Sequence, residues 1–310
     1  MEVRLDMAKF RGKYEAELVA ESRARVYLVK AGEAYVLKVY EGEGWQERAR
    51  EIASRLRAFK APYVARYPEL EEVIYQALPL DFGIAELEGS SHPACLFKYL
   101  PKPTLQELLD DGSGDWEPEV VVRQLALGVA VFHGLGIVHS DLTPPNLLVG
   151  KGLTIIDYDG GGILWRGGWR LKPLVAGRLA DGLPNAPEGR PGKGFDRWWL
   201  AINAFILASK GVNPFFFLTN AELESLKELR ELASRSEACW PPPYEVVRRH
   251  SRFNRSVRRE HLKGVRELVG RCLPTSLFYE AFVEGLEDPS KRPRASDYLA
   301  SLGGEGFGGA

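Results

Sequence analysis

Long apolar runs are missing from this chain. No stretch approaches the roughly 20 residues that a membrane-spanning helix needs, so no association with a membrane is expected. Excess charge is missing too. The 41 Lys and Arg residues stand against 42 Asp and Glu, and a net charge of −1 gives no global attraction to nucleic acid or to an anionic surface. The three cysteines, Cys95, Cys239 and Cys272, lie far apart without metal-ligand spacing. That excludes a disulfide framework and predicts buried free thiols. The first residues, MEVRLDMAKFRGKYE, are too charged for a secretory signal, so a cytoplasmic location is expected. Four Gln, six Asn and two Met among plentiful Arg and Glu is a composition found in thermophile proteins. No internal repeat is visible. What remains, 310 residues with 45% hydrophobic and 27% charged content, is an ordinary globular chain long enough for one large or two modest cores.

Chemistry concentrates between His139 and Gly160, HSDLTPPNLLVGKGLTIIDYDG. Leu147 to Val149 and Leu153 to Ile156 read as two short strands joined at Gly152, a hairpin that folds Asp157 back beside Asn146. Asp141, five residues before Asn146, shares the preceding loop. An Asn and an Asp held together supply hard oxygen ligands for Mg²⁺, which completes its shell with water and phosphate oxygens. The remaining carboxylate, Asp141, is then free to accept a proton or orient a nucleophile.

Upstream, Ala16 to Val19, Val26 to Lys30 and Ala34 to Tyr40 read as strands, and Lys38 stands in the apolar run Tyr35-Val36-Leu37-Lys38-Val39-Tyr40. A lysine in such a setting needs a partner. The charged helix expected from Trp45 to Phe59 offers Glu47 or Glu51, with Pro62 marking its end. Thr104 and Glu107 form a capping box, as do Thr219 and Glu222. Trp116 to Leu135 and Asp196 to Leu207 read as helices buried on most sides. From Arg248 to Arg266, eight basic residues face a single Glu260, either a solvated helix face or a docking surface for an acidic partner or RNA.

The stretch His139 to Gly160 resembles the catalytic loop and metal-binding segment of the protein kinase superfamily. It has H-x-D-L-x-x-x-N at His139 to Asn146, then Asp157-Tyr158-Asp159 with Gly160 where the family has D-F-G. Further pieces follow in the family's order: Lys38, Ala186-Pro187-Glu188, Asp196 and Arg292. The resemblance implies an α+β, two-lobed kinase-like fold. Residues 1–99 would form a small antiparallel β-rich lobe with one helix, 100–302 a larger, mainly helical lobe, and 303–310 a disordered Gly-rich tail. It implies ATP and Mg²⁺ as cofactors and a protein substrate. Lys38 would hold the α- and β-phosphates, oriented by Glu51, which the position of Pro62 favours over Glu47. Val26, Val36 and Leu148 would contact the adenine, whose edge would meet the backbone at Lys98 and Leu100. Asn146 and Asp157 would bind Mg²⁺, and Asp141 would act on the acceptor hydroxyl. Asp196 would tie down the catalytic-loop backbone, and Arg292 would pair with Glu188 in the interior.

The departures from the family carry information as well. The loop from Val19 to Val26 has no glycine where kinases resemble G-x-G-x-x-G, which makes the phosphate cradle poorer. Thr143 replaces the lysine usual two residues after the catalytic Asp, and Asp181 replaces a threonine usual before A-P-E. Thr143 is similar to its counterpart in the small archaeal kinases that serve the tRNA threonylcarbamoyladenosine machinery, although those lack A-P-E. Three functions stay open: an atypical prokaryotic or archaeal Ser/Thr protein kinase, a pseudokinase or ATP-gated binding module, and an ATPase or small-molecule kinase.

Overall fold

The computed structural model describes residues 1–21, 24–42, 44–174, 183–184, 186–234 and 238–303. Ser22, Arg23, Arg178, Asp181 and the tail beyond Gly303 lie outside the described residues. The chain is mixed α/β, with an antiparallel β N-terminal region and a helical C-terminal part.

Six strands make a closed barrel in the order β1 (Glu2–Met7), β2 (Arg11–Glu21), β3 (Ala24–Ala31), β4 (Glu33–Tyr40), β6 (Ser90–Lys98), β5 (Asp81–Leu87). Three strands were expected between residues 16 and 40 and a fourth from Ala94 to Leu100, which is the end of β6. The structure extends the first back to Arg11 and adds β5 and β1, the latter's EVRLDM alternating strictly so that Val3, Leu5 and Met7 face inward. Alternation of period two is the sheet signature, and it lies here beneath the charges of the terminus. Pairing β1 with β5 leaves the sheet without an open edge. The strands meet so closely that a Cβ on Gly83 would lie 2.3 Å from the Asp6 carbonyl.

Among the described residues three α-helices, not one, fall between β4 and β5: α1 (Trp45–Ala58), α2 (Lys60–Arg66) and α3 (Leu70–Val73). Pro62 does not end α1. It sits in the first turn of α2, where the missing N–H is no loss. Ile52 and Leu56 of α1 and Leu70 and Val73 of α3 join the large core of the helical part, whereas the barrel interior is a cluster of its own.

The helical part begins with α4 (Leu105–Asp110), capped by the expected Thr104–Glu107 box. Then come α5 (Pro118–Gly134), β7 (Ile137–Val138), the hairpin β8 (Leu147–Val149) and β9 (Leu153–Ile155), and the hairpin β10 (Gly162–Trp165) and β11 (Gly168–Leu171). α6 (Lys193–Ala208), α7 (Leu223–Ala233), α8 (Tyr244–Val247), α9 (Arg259–Cys272), α10 (Thr275–Phe282) and α11 (Ala295–Ser301) complete it. No helix among the described residues is long and apolar enough to cross a membrane. All three cysteines are buried thiols outside any disulfide.

The capping box expected at Thr219 is absent. α7 starts four residues later behind Glu222, and Thr219 instead binds the Arg252 carbonyl through both its N–H and its hydroxyl. The basic run is not one helix either. Residues 248–258 form turns between α8 and α9, and Arg248 and Arg259 both pair with Glu245.

One long-range ion pair closes the helical part. Arg292, 1% exposed, donates from Nη1 and Nη2 to the two oxygens of Glu188 at 2.7 and 2.8 Å. Its Nε donates to the Gly285 carbonyl at 2.9 Å, and the guanidinium lies over the Trp198 ring. Every donor direction that counts is thus used, as a buried charge requires. Arg292→Ala is expected to cost about 3–5 kcal/mol, because it strands the Glu188 carboxylate. The Glu188→Ala/Arg292→Ala double mutant should cost less than the sum of the single changes in a denaturant melt; strict additivity would show that the pair does not couple.

Candidate functional site

β4 supplies the first component. Leu37 and Val39 fill the barrel, so Val36, Lys38 and Tyr40 project from the opposite side of the strand. Val26 stands directly across from Lys38 on β3 and therefore shares that face. β6, paired to β4 up to Tyr35–Lys98, leads to Leu100, whose carbonyl accepts the Lys102 N–H at 2.8 Å.

The second component is the loop before β8. Asp196 of α6 accepts the N–H groups of His139 and Ser140 on its two oxygens at 2.8 and 2.9 Å, and lies 3.1 Å from His133 Nε2. This anchor holds Ser140 at φ 64°, a left-handed conformation uncommon for a residue with a side chain. His139 then bridges the two halves of the site: Nδ1 accepts from the Asp141 N–H and Nε2 donates to the Ile156 carbonyl. The histidines are thus positioned as packing and hydrogen-bonding pieces. Asn146 donates from Nδ2 to the Asp141 carbonyl at 2.8 Å, which leaves its amide oxygen for another partner. Thr143, buried, donates its hydroxyl to Asp141 Oδ1 at 3.2 Å.

The third component follows the hairpin. The Ile156 N–H binds the Asn146 carbonyl at 3.0 Å, which closes the base of β8 and β9 and sets Asp157 beside Asn146. Leu148, buried on β8, is two residues past Asn146. Asp157 is itself left-handed at φ 63°, and Gly161 leaves no room for a side chain, since a Cβ there would lie 2.6 Å from the Val138 carbonyl. Strain of this kind concentrates at functional positions.

The first and third components meet at Lys38. Its ammonium binds Asp157 Oδ1 and, at 3.1 Å, Asp159 Oδ1. Asp159 in turn accepts from the Tyr40 hydroxyl at 2.6 Å. Burial alone would lower the Lys38 pKa, but the charges of the two carboxylates outweigh it and hold the pKa above the ordinary lysine value. For Asp157, partial desolvation pushes upward and Lys38 more than compensates, so it stays below the usual carboxylate range. Asp159 is lifted to about 6, by burial first, against the opposing pull of Lys38 and with the charge of Asp157 adding to the rise. Burial and then Asp159 keep Tyr40 well above the ordinary phenol value, a neutral donor.

The expected Lys38–Glu51 pair is not formed. Glu51 Oε1 lies 2.8 Å from Arg170 Nε on β11, and Glu47 is exposed. The reason is how α1 is pinned. Gln46 donates to the carbonyls of Gly83 and Ala94, while Arg48 donates to those of Gly161 and Lys172. Arg48 and Glu51, three apart, share a face, so fixing Arg48 on the segment after Asp159 carries Glu51 to β11. Sequence reading missed Tyr40, Arg48 and Asp159. The signal for Asp159 was present as Asp-x-Asp, two carboxylates two residues apart at the end of a strand.

The oxygens of Asp157 and Asn146 suit a hard cation. No three His, Cys, Asp or Glu side chains among the described residues form a metal-holding group. A cation here would therefore draw on the Asn146 amide and on ligand or water oxygens, as Mg²⁺ commonly does.

No family model matches the chain. Over 100 residues, 32% of the chain, it is 38% identical to the human serine/threonine-protein kinase/endoribonuclease IRE2. Over 165 residues, 52% of the chain, it is 28% identical to "Probable serine/threonine-protein kinase KCC4" of Saccharomyces cerevisiae. The chain spans only 10% and 15% of those two proteins. The similarity is kinase-like and partial.

Proposed function

We propose that the chain is an ATP- and Mg²⁺-dependent phosphotransferase, a two-lobed atypical protein kinase acting on Ser or Thr hydroxyls. One observation carries this reading. Lys38, Asp141, Asn146 and Asp157 come from three separate segments and are drawn together by the contacts of His139, Asp196 and the β8–β9 hairpin, in a chain partly similar to Ser/Thr kinases.

In this reading Lys38 binds the α- and β-phosphates. Val26, Val36 and Leu148 offer apolar surface to the adenine, and the backbone at Lys98 and Leu100 meets its edge. Asn146 and Asp157 hold Mg²⁺, which when bound neutralises phosphate charge during in-line transfer. Thr143 occupies one oxygen of Asp141, leaving the other to accept or orient the proton of the incoming hydroxyl. The second reading, an ATP-binding module without turnover, is favoured by the absence of glycine from Val19 to Val26 and by exposed Glu21 at the end of β2, which repels phosphate.

Transfer of labelled γ-phosphate separates the two. Asp141→Asn is expected to lower transfer by about 100-fold or more with Mg-ATP binding nearly intact, whereas Lys38→Met and Asp157→Asn weaken that binding. A wild-type protein that binds Mg-ATP without transferring phosphate would favour the module, and wild-type transfer by Asp141→Asn would remove Asp141 from the chemistry.

Control by phosphorylation of the segment after Asp157 is not expected. Residues 159–188 contain no Ser, Thr or Tyr, and Ser140 stands where an arginine would clamp a phosphate. Tyr158 is buried, its hydroxyl donating to the Ala77 carbonyl at 3.2 Å. Phosphatase-treated and untreated protein should therefore transfer phosphate at equal rates. A large loss on treatment, mapped by mass spectrometry to this segment, would contradict the expectation.

A further inference from the structure

Lys38 faces two carboxylates of different character. The Asp157 side chain is 41% exposed and open to the site, whereas that of Asp159 is 5% exposed. A cation arriving from solvent can reach the first and not the second. Asp159 is also held at both ends by one strand: Oδ1 accepts from Lys38 and Oδ2 from Tyr40, two residues further along β4. Tyr40 is fully buried and stacked on Trp45 with ring centroids 6.0 Å apart, so its hydroxyl has little freedom. The three groups form a closed frame across which β4 and the Asp157–Gly160 segment are joined. An ammonium has three N–H donors. One directed to Asp159 and one released by Asp157 when that residue turns to a cation leave two for phosphate oxygens.

We propose that Asp159 is the positioning residue for Lys38, with Tyr40 fixing Asp159 in turn, so that Asp157 alone of the pair is free to serve a cation; this rests on the nucleotide-site reading above. The lysine is then anchored from the segment after β9 rather than from α1. α1 then bears on Lys38 only indirectly, through Trp45 stacked on Tyr40 and through Arg48 on the segment after Asp159, and Glu51 belongs to the Arg170 contact instead.

Two measurements on the full chain test this separately from the nucleotide reading. In the protein without nucleotide, the rate at which trinitrobenzenesulfonate modifies Lys38, read by peptide mass spectrometry, reports how firmly the ammonium is held. Asp159→Asn preserves shape and an acceptor oxygen but removes the charge. It is expected to speed modification by ~10-fold, the scale of one charge-assisted hydrogen bond. Tyr40→Phe should act in the same direction and less strongly, while Glu51→Gln changes the rate less than about 3-fold, as fits an ion pair made elsewhere on the surface. An unchanged rate in Asp159→Asn, or an equal acceleration in Glu51→Gln, would overturn the proposal.

The second measurement is the Mg²⁺ dependence of ATP binding. Asp159→Asn should weaken ATP binding at saturating Mg²⁺ but leave the half-saturating Mg²⁺ concentration in place, whereas Asp157→Asn should raise that concentration. Equal shifts in both variants would make Asp159 a cation ligand and overturn the division of roles. Absence of any Mg-ATP binding by the wild type, with the modification pattern intact, would instead defeat the nucleotide reading and leave Asp159 only the anchor of a structural lysine.

Discussion

An ammonium largely withdrawn from water must be neutralised where it stands, and around Lys38 that requirement organises the molecule. Two carboxylates meet it, and both come from a segment about 120 residues away in the chain, so the barrel and the region after β9 are held in register by charge. The surrounding contacts can be understood as keeping those carboxylates in place. Tyr40 fixes Asp159, the Ile156–Asn146 hydrogen bond fixes the start of Asp157, and Arg48 ties the next turn to α1.

The same logic repeats away from the site. Asp196 accepts three donors where the chain enters the loop before β8, and Arg292 is satisfied by Glu188 and two carbonyls in the interior of the helical part. Each is a buried charge that only one arrangement of distant segments can satisfy. Apolar packing tolerates small slips that hydrogen-bonded charges do not. These groups therefore specify geometry while the helices α5 and α6 supply burial.

Residues that meet across long sequence separations were legible when each carried an unusual type in an ordered series. Asp196, Glu188 and Arg292, and the turn that puts Asn146 beside Asp157, all fall where the sequence placed them. What stayed hidden depends on orientation. Nothing in the helix sequence from Trp45 to Ala58 says which glutamate faces inward. The outcome is decided by Gln46 and Arg48 reaching backbone carbonyls on three other segments. β1 was hidden for another reason: its alternation is regular but short, and closing the barrel depends on β5, whose own sequence has no strong period. Thr219 had the composition of a cap, but the competing contact with Arg252 prevailed, as local signals yield to tertiary ones.

The central claim is that this carboxylate-lined lysine site receives a polyphosphate only together with a divalent cation. Asp157 and Asp159 both bind the one ammonium and the charge of Asp141 acts on Asp157, so a bare nucleotide would meet net repulsion. Calorimetric titration of the wild-type protein with ATP, in Mg²⁺ and again in EDTA, tests this directly. The account predicts binding that weakens by at least ~10-fold when the metal is withheld, a change of about 1.4 kcal/mol. Equal affinity in the two buffers, or no binding in either, would contradict it.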